Sequence, residues 1–222
     1  MSDEEFSQDS SGNFNLSISD MMSALCFIFV LVCVVLVFQL KKTSENYVKM
    51  QDALYDELKK EFEADFDKWN AEIDRENLSI RFKDPTVLFL PDDAVLRKGY
   101  KLILDDFFPR LVEILSDPKY KDSIEEIRIE GHTAENAYID TNQDYKEGMD
   151  LSQRRTREVL YHCLQTNFGE ENNWITDKII AIGYSKSKPI MVDGVIDWNA
   201  SRRVEFRIKT NSDKAIKEFF TK

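Results

Sequence analysis

Three groups of residues in this chain have the types and spacings that chemistry requires. Asp20 stands at the mouth of residues 21–40 (MMSALCFIFVLVCVVLVFQL), a run without a charge. A bilayer core of about 30 Å is crossed by about twenty helical residues at about 1.5 Å each, so the run is long enough to span a membrane. Two readings of Asp20 are open. With Ser17 and Ser19 it caps a helix by accepting orphan N–H groups of the first turn, or it carries an ion, because a carboxylate at membrane depth is expensive and marks an ion path. The second group is Gly131-His132-Thr133 followed by Leu151-Ser152 and Arg155 across an acidic segment with Glu135, Asp140, Asp144 and Asp150. A guanidinium is a planar fork, and beside an acidic loop it suits a zwitterionic ligand. The third is Arg202-Arg203, which opens an alternating run and is better placed to hold a neighbouring carboxylate than a ligand. His132, taken alone, is equally consistent with satisfying a turn.

These residues leave little room for an enzyme. His132 and His162 are the two histidines, Cys163 lies beside His162 without a third catalytic member, and no metal-ligand spacing occurs. The chain is therefore read as a non-enzyme that needs no cofactor and binds no metal. Cys26 and Cys33 fall inside the apolar run and Cys163 stands alone, so no disulfide framework is expected. A net charge of −11 argues against direct nucleic-acid binding, which requires a basic face.

The elements that must position these groups follow from periodicity. Residues 1–13 are acidic and Ser-rich, and are expected to be disordered. Apolar residues resume at Phe14, Leu16 and Ile18, so the transmembrane helix is placed over residues 14–42. It is not a signal peptide: Asp3, Glu4, Glu5 and Asp9 precede it without a base, and no small-residue cleavage site follows. Lys41, Lys42 and Lys49 lie just beyond it, which by the positive-inside count keeps the C-terminal part in the cytoplasm. Residues 43–76 read as a helical connector, because Leu54, Leu58, Phe62, Phe66, Trp69 and Ile73 recur on one stripe. The stripe can pack against its own domain, pair with a second copy or lie on the membrane as a plug, and its length and aromatic content favour pairing. From residue 77 to 222 short strands alternate with helices: strands at 86–90, 124–130, 178–184 and 203–209, helices at 96–115 and 151–168, and a last helix beyond Asn211. Such alternation predicts an α/β (α+β) domain with helices on one face of a mixed sheet.

Four segments in order, IRIEGHT (127–133), LSQRRTREV (151–159), IGYSKSKP (182–189) and SRRVEFRI (201–208), resemble the OmpA-like peptidoglycan-binding domain. The resemblance runs from about residue 85 to residue 209. It implies a cleft for the diaminopimelate of a stem peptide, with Arg155 clamping a carboxylate, Thr133 and Leu151 framing the ligand, and His132, Ser152, Arg202 and Arg203 in support. The chain departs from that pattern in having Ala134 where the family has Asp for the ligand's ammonium, and Gly148 where it has Asn. A membrane-entry carboxylate, one span and an OmpA-like domain together resemble MotB-type stator subunits, and SDMMSALCFIF (19–29) resembles their ion-carrying segment with Asp20 in the ion position. The acidic tail and short connector resemble most the ZorB family of Zorya anti-phage defence. This implies a transported H⁺ or Na⁺, a MotA- or ZorA-like multispan partner, a second copy of the chain, and peptidoglycan. It also implies an inner-membrane location with the N-terminus cytoplasmic and the domain periplasmic, against the lysine count. A flagellar MotB-type stator and a passive OmpA- or Pal-like wall anchor are the alternatives.

Overall fold

The computed structural model describes residues 4–83, 88–90, 93–135, 140–167 and 173–211. The chain divides into two compact units, Met1–Val48 and Lys49–Lys222.

The described part of the first unit is helix. Helix α1 (Glu4–Phe62) supplies it and also opens the second unit. Within α1, Ser19–Lys42 is long and apolar enough to cross a membrane, and none of its residues is buried. The sequence expectation of a disordered tail over residues 1–13 is corrected from Glu4 onward. Once a long apolar run has nucleated a helix, each added residue gains a hydrogen bond, so the helix propagates into a weakly helical neighbour. The cap reading of Asp20 is corrected with it. The orphan N–H groups belong to the first turn near Glu4, and Asp20 lies well inside the helix.

The second unit begins earlier than periodicity suggested. The helical connector is expected to reach residue 76, yet α1 ends at Phe62. A short α2 (Phe66–Trp69) follows, and Asn70 closes it in the left-handed region at φ 49°. A hairpin of β1 (Ala71–Asp74) and β2 (Ser79–Lys83) comes next. Its turn is fixed by the Asp74 carboxylate, which accepts the Asn77 N–H at 3.1 Å. Leu54, Leu58, Phe62 and Trp69 are buried in the domain's own core, with Phe66 and Ile73 packed against it. The stripe read as a self-pairing surface is therefore consumed inside one domain, because its apolar area is already removed from water there.

The remaining elements are α3 (Lys98–Ser116), β3 (Ile124–His132), α4 (Thr141–Asn167), α5 (Asn173–Lys178), β4 (Ile179–Gly183), β5 (Ile190–Val192), β6 (Val195–Asp197), α6 (Trp198–Ser201) and β7 (Arg203–Thr210). Five strands form one sheet in the order β1-β2-β7-β3-β4, while β5 and β6 form a separate two-stranded hairpin. Of the neighbours in the main sheet, β3 and β4 run parallel and the others antiparallel. This is the mixed sheet expected. The expected strand at 86–90 falls partly outside the described residues, and within them Phe89 makes a single bridge to Leu96. The expected helix beyond Asn211 lies outside the described residues.

Alternation along the strands gives the sheet two unlike faces. Ile80, Phe82, Ile127, Ile129, Val204, Phe206 and Ile208 are buried in the core with Tyr100, Leu104, Phe107, Phe108 and Leu111 of α3 and Val159 of α4. Phe107 is the hub, with ring centroids 5.2 Å from Phe82 and 5.0 Å from Phe206. The other face is charged: Arg81, Glu205 and Glu130 stand side by side across β2, β7 and β3.

Candidate functional site

The residues expected to form a cleft around Arg155 lie where α4 packs across the ends of β3 and β4. Gly131 and Gly183 are register partners there. A Cβ on Gly131 would come within 2.9 Å of the Ser152 carbonyl oxygen, and one on Gly183 within 2.6 Å of the Gln153 backbone nitrogen. Both contacts are with backbone, so glycine at both positions lets the helix settle onto the strand ends. The strand ends are then tied to the helix and to each other. The Thr133 N–H donates to the Ser185 carbonyl at 2.9 Å, and the Ser185 N–H donates to the Ser152 hydroxyl at 3.2 Å.

One face of α4 carries the candidate residues, because positions 144, 148, 152 and 155 follow helical spacing. Gly148 sits over Thr133 and Ser185. A Cβ there would meet the Ser185 hydroxyl at 2.5 Å and the Thr133 hydroxyl at 2.7 Å, which accounts for glycine where the resemblance calls for Asn. Thr133 is buried, and among the described residues its hydroxyl has no hydrogen-bond partner. Leu151, one position before Ser152 on α4, is half-buried. Arg155 lies farther along the helix: its Nε donates to the Asp93 carbonyl at 3.0 Å, and its guanidinium covers the Phe89 ring at 4.8 Å. The segment before α3 thus meets α4, a junction separated by 62 residues in sequence. Asp93 and Phe89 were not legible as site residues for that reason.

The acidic segment that follows Thr133 is engaged internally. Asp144 is buried and accepts from the Lys186 ammonium at 2.5 Å, which Glu135 also accepts at 3.3 Å. Hydrogen bonding to Asp144, reinforced by Glu135, raises the Lys186 ammonium above its ordinary range. The Asp140 carboxylate accepts the Asn142 and Gln143 N–H groups at the start of α4, and Asp150 pairs with Arg154 at 2.9 Å.

The supporting residues separate into two sites. Ser152 is buried and belongs to the strand-end junction. His132, Arg203 and the charged sheet face form another cluster. His132 is 3% exposed, stacks on Tyr184 with centroids 5.2 Å apart, and among the described residues has no hydrogen-bond partner at either ring nitrogen. Its Nε2 is 3.8 Å from Glu130. Burial holds the imidazole below its ordinary range, and Arg203 adds to that effect against the pull of Glu130. Arg203 bonds Glu205 through Nε, and its Nη1 donates to the Ser201 carbonyl at 2.9 Å. Burial opposes ionisation of Glu205, but Arg203 and Arg81 more than compensate and bring its carboxyl down to about 2. Arg202 is exposed and bonds Asn199.

Glu130, His132 and Glu205 offer atoms within 4.8 Å of one another, a separation a metal ion tolerates. The surrounding charge does not suit one. Arg81 and Arg203 both hold Glu205, and Arg207 stands 4.0 Å from Glu130. Three guanidiniums beside two buried carboxylates repel a divalent cation.

Asp20, in the first unit, is exposed, and the adjacent polar contact is the Ser23 hydroxyl donating to the Ser19 carbonyl at 2.8 Å.

No family model matches the chain. The solved structure of a MotB-like protein from Desulfovibrio vulgaris superposes with a TM-score of 0.52 at 22% identity, over 75% of this chain and 98% of that one. The periplasmic domain of Helicobacter pylori MotB gives 0.42 at 15% identity, over 64% of this chain and 83% of that one. The first of these shares the fold, so the OmpA-like architecture read from the four motifs is borne out. In sequence, the Zorya protein ZorB of Escherichia coli (strain Crooks) is 38% identical over 214 residues, which cover 91% of this chain and 90% of the relative. With that identity across nine-tenths of both proteins, the chain belongs to the ZorB family.

Proposed function

We propose that this chain is the peptidoglycan-anchored stator subunit of an ion-driven inner-membrane motor that serves Zorya anti-phage defence. Its N-terminus is cytoplasmic, its domain is periplasmic, and Asp20 carries the ion. The observation that carries this reading is an ionisable residue inside a continuous helix, next to the first residue of the apolar stretch Ser19–Lys42, where no cap explains it. One helix cannot shield a carboxylate from lipid, so helices of a multispan MotA- or ZorA-like partner line it, around two copies of this chain. Ion entry neutralises Asp20 and loosens its local contacts, and release restores the charge. The membrane potential supplies about 2.3 kcal/mol per elementary charge per 100 mV, enough to bias such a step. The domain completes the device, because torque needs a fixed point and Arg155 offers a carboxylate clamp for the wall.

The test is Asp20→Asn in cells that carry the full system. Asn keeps the size and most of the polarity of Asp but cannot exchange a proton or balance an ion's charge. The expected result is complete loss of phage protection with normal membrane insertion and normal co-purification of the multispan partner. Protection at the level of the unaltered chain would overturn the ion-carrying role.

A further inference from the structure

The β5–β6 hairpin has a fixed base and an apolar tip that the domain does not cover. At the base, the Ile190 N–H donates to the buried Ser201 hydroxyl at 2.9 Å, and Arg203 Nη1 donates to the Lys188 carbonyl at 3.3 Å. Beyond it, Met191, Val192, Val195 and Ile196 are all exposed. A Cβ built on Gly194 at the turn would meet nothing within 4 Å, so the ribbon projects into open space. Among the described residues its two strands pair only with each other. A two-stranded ribbon is marginal in water, and an apolar strand with an open edge is a template for another strand. Lipid does not suit the tip, because Asp193 would enter it first.

We propose that this hairpin is the surface on which two copies of the domain meet, β5 of one lying antiparallel and edge to edge with β5 of the other about a two-fold axis through Met191. A two-fold axis sets the residues at its centre against their own kind, so that centre must be free of charge. The chain carries 41 acids against 30 bases, and most of its surface repels a copy of itself, yet β5 reads Ile-Met-Val. The backbone agrees. Val192 and Val195 pair across a two-residue turn whose Asp193 and Gly194 are both at positive φ, so the next residue, Met191, turns its N–H and carbonyl away from β6 toward the open edge. In the two-fold register Met191 opposes Met191 and Ile190 opposes Val192. Lys188 then comes beside Asp193 of the other copy, an opposite-charge pair formed twice. Four partly exposed side chains fall short of the about 800 Å² per partner that a free-standing complex buries. The inference therefore rests on the stator reading for its tether: two copies held in one membrane complex meet at a high effective concentration, and a weak contact suffices.

The experiment uses the full-length chain in its own membranes with its genetic neighbours present, Cys26 and Cys33 replaced by Ala and the buried Cys163 left in place. Met191→Cys is then oxidised with copper phenanthroline. Residues that exchange both hydrogen bonds across an antiparallel pair have Cα atoms about 5.5 Å apart, a spacing a disulfide accepts. The expected product is a disulfide-linked pair of chains, formed at least about tenfold faster than with Leu102→Cys, an exposed position on α3. Lys188→Glu in the Met191→Cys background sets two acids beside each other in each half of the contact and is expected to slow the reaction severalfold. An unchanged rate would overturn the register. A photoreactive thiol reagent on Met191→Cys identifies the neighbour directly: a second copy is expected, and labelling of a multispan protein or of lipid in its place would overturn the self-pairing. The mass of the purified complex counts copies without reference to the hairpin. Two copies with no Met191 disulfide, or with equal rates at residues 191 and 102, would overturn this surface and leave the stator reading standing. A single copy would overturn both.

Discussion

Asp20 and Glu205 are two carboxylates with opposite neighbourhoods. Glu205 is 3% exposed and fully provided for within the chain: Arg81 Nε at 2.9 Å, Arg203, and the Ser79 hydroxyl at 3.2 Å. Asp20 borders an apolar stretch with nothing packed on it, and among the described residues no ion pair reaches it. A buried charge that is paired and hydrogen-bonded serves structure, and removing one partner leaves the others stranded. A charge left unprovided in an apolar setting needs something outside its own chain. The surroundings of Glu205 are chemically closed, whereas those of Asp20 are not.

The strongest way to break this contrast is to test whether the domain is closed where the structure says. A fragment of residues 49–222 contains the second unit entire. It is expected to be soluble and to melt cooperatively. A fragment of residues 85–222, which begins where the motif resemblance begins, lacks two of the five sheet strands and buried Leu54, Leu58, Phe62, Trp69, Leu78, Ile80 and Phe82. Each such side chain contributes about 1.5–3 kcal/mol on burial, so this loss exceeds the net stability of a typical domain. That fragment is expected to show no cooperative melt by circular dichroism. A folded 85–222 fragment would show that the hairpin and the end of α1 are accessory.

The next test separates the two carboxylates directly. Glu205→Ala strips the buried Arg203 of its carboxylate partner, while Arg81 keeps Glu72 and Asp74, and is expected to cost about 3–5 kcal/mol in denaturant unfolding of the 49–222 fragment. Asp20→Asn in the full chain is expected to leave the melting of the domain unchanged while abolishing protection. Comparable destabilisation by the two substitutions would erase the distinction between a structural and a working carboxylate.

How much of this was legible in the sequence follows from the kind of signal each region carries. Strands such as IEEIRIE and RVEFRIK announce themselves by alternation, and the helix holding Arg155 by its period, although its start at Thr141 rather than Leu151 was hidden in nearly three polar first turns. The β1–β2 hairpin was missed because Trp69 and Ile73 continue a helical spacing that backbone conformation interrupts. The left-handed Asn70 and Leu78, at φ 49° and 47°, break the helix and turn the hairpin. A turn signal was present in Asp74 and Asn77, but the apolar stripe outweighed it. The β5–β6 hairpin turns on Asp193-Gly194, both at positive φ, a pair that favours tight hairpins. Asp93 had no local signal at all, since its significance comes from a contact with a helix far along the chain.

The smallest expected effect concerns acid, and it probes how completely the charged sheet face is closed. His132 is held neutral by burial, below its ordinary value of 6.5. Below about pH 6.5 the unfolded chain takes up a proton that the folded chain refuses, so stability falls as pH drops through that range and is fully present above it. Glu205, depressed from 4.5 to about 2, adds a second loss that begins only below about pH 4.5. Urea unfolding of the 49–222 fragment is therefore expected to show two successive acid declines. His132→Phe keeps the stacking on Tyr184 and removes two buried nitrogens that have no partner. Discarding an unsatisfied buried group is neutral or stabilising by up to about 1–3 kcal/mol. The variant is expected to equal or exceed the parent at pH 7.5 and to lose the first decline while keeping the second. A first decline that survives in His132→Phe would assign it to another group. Marked destabilisation at pH 7.5 would show that the imidazole, like Glu205, is a satisfied member of the network.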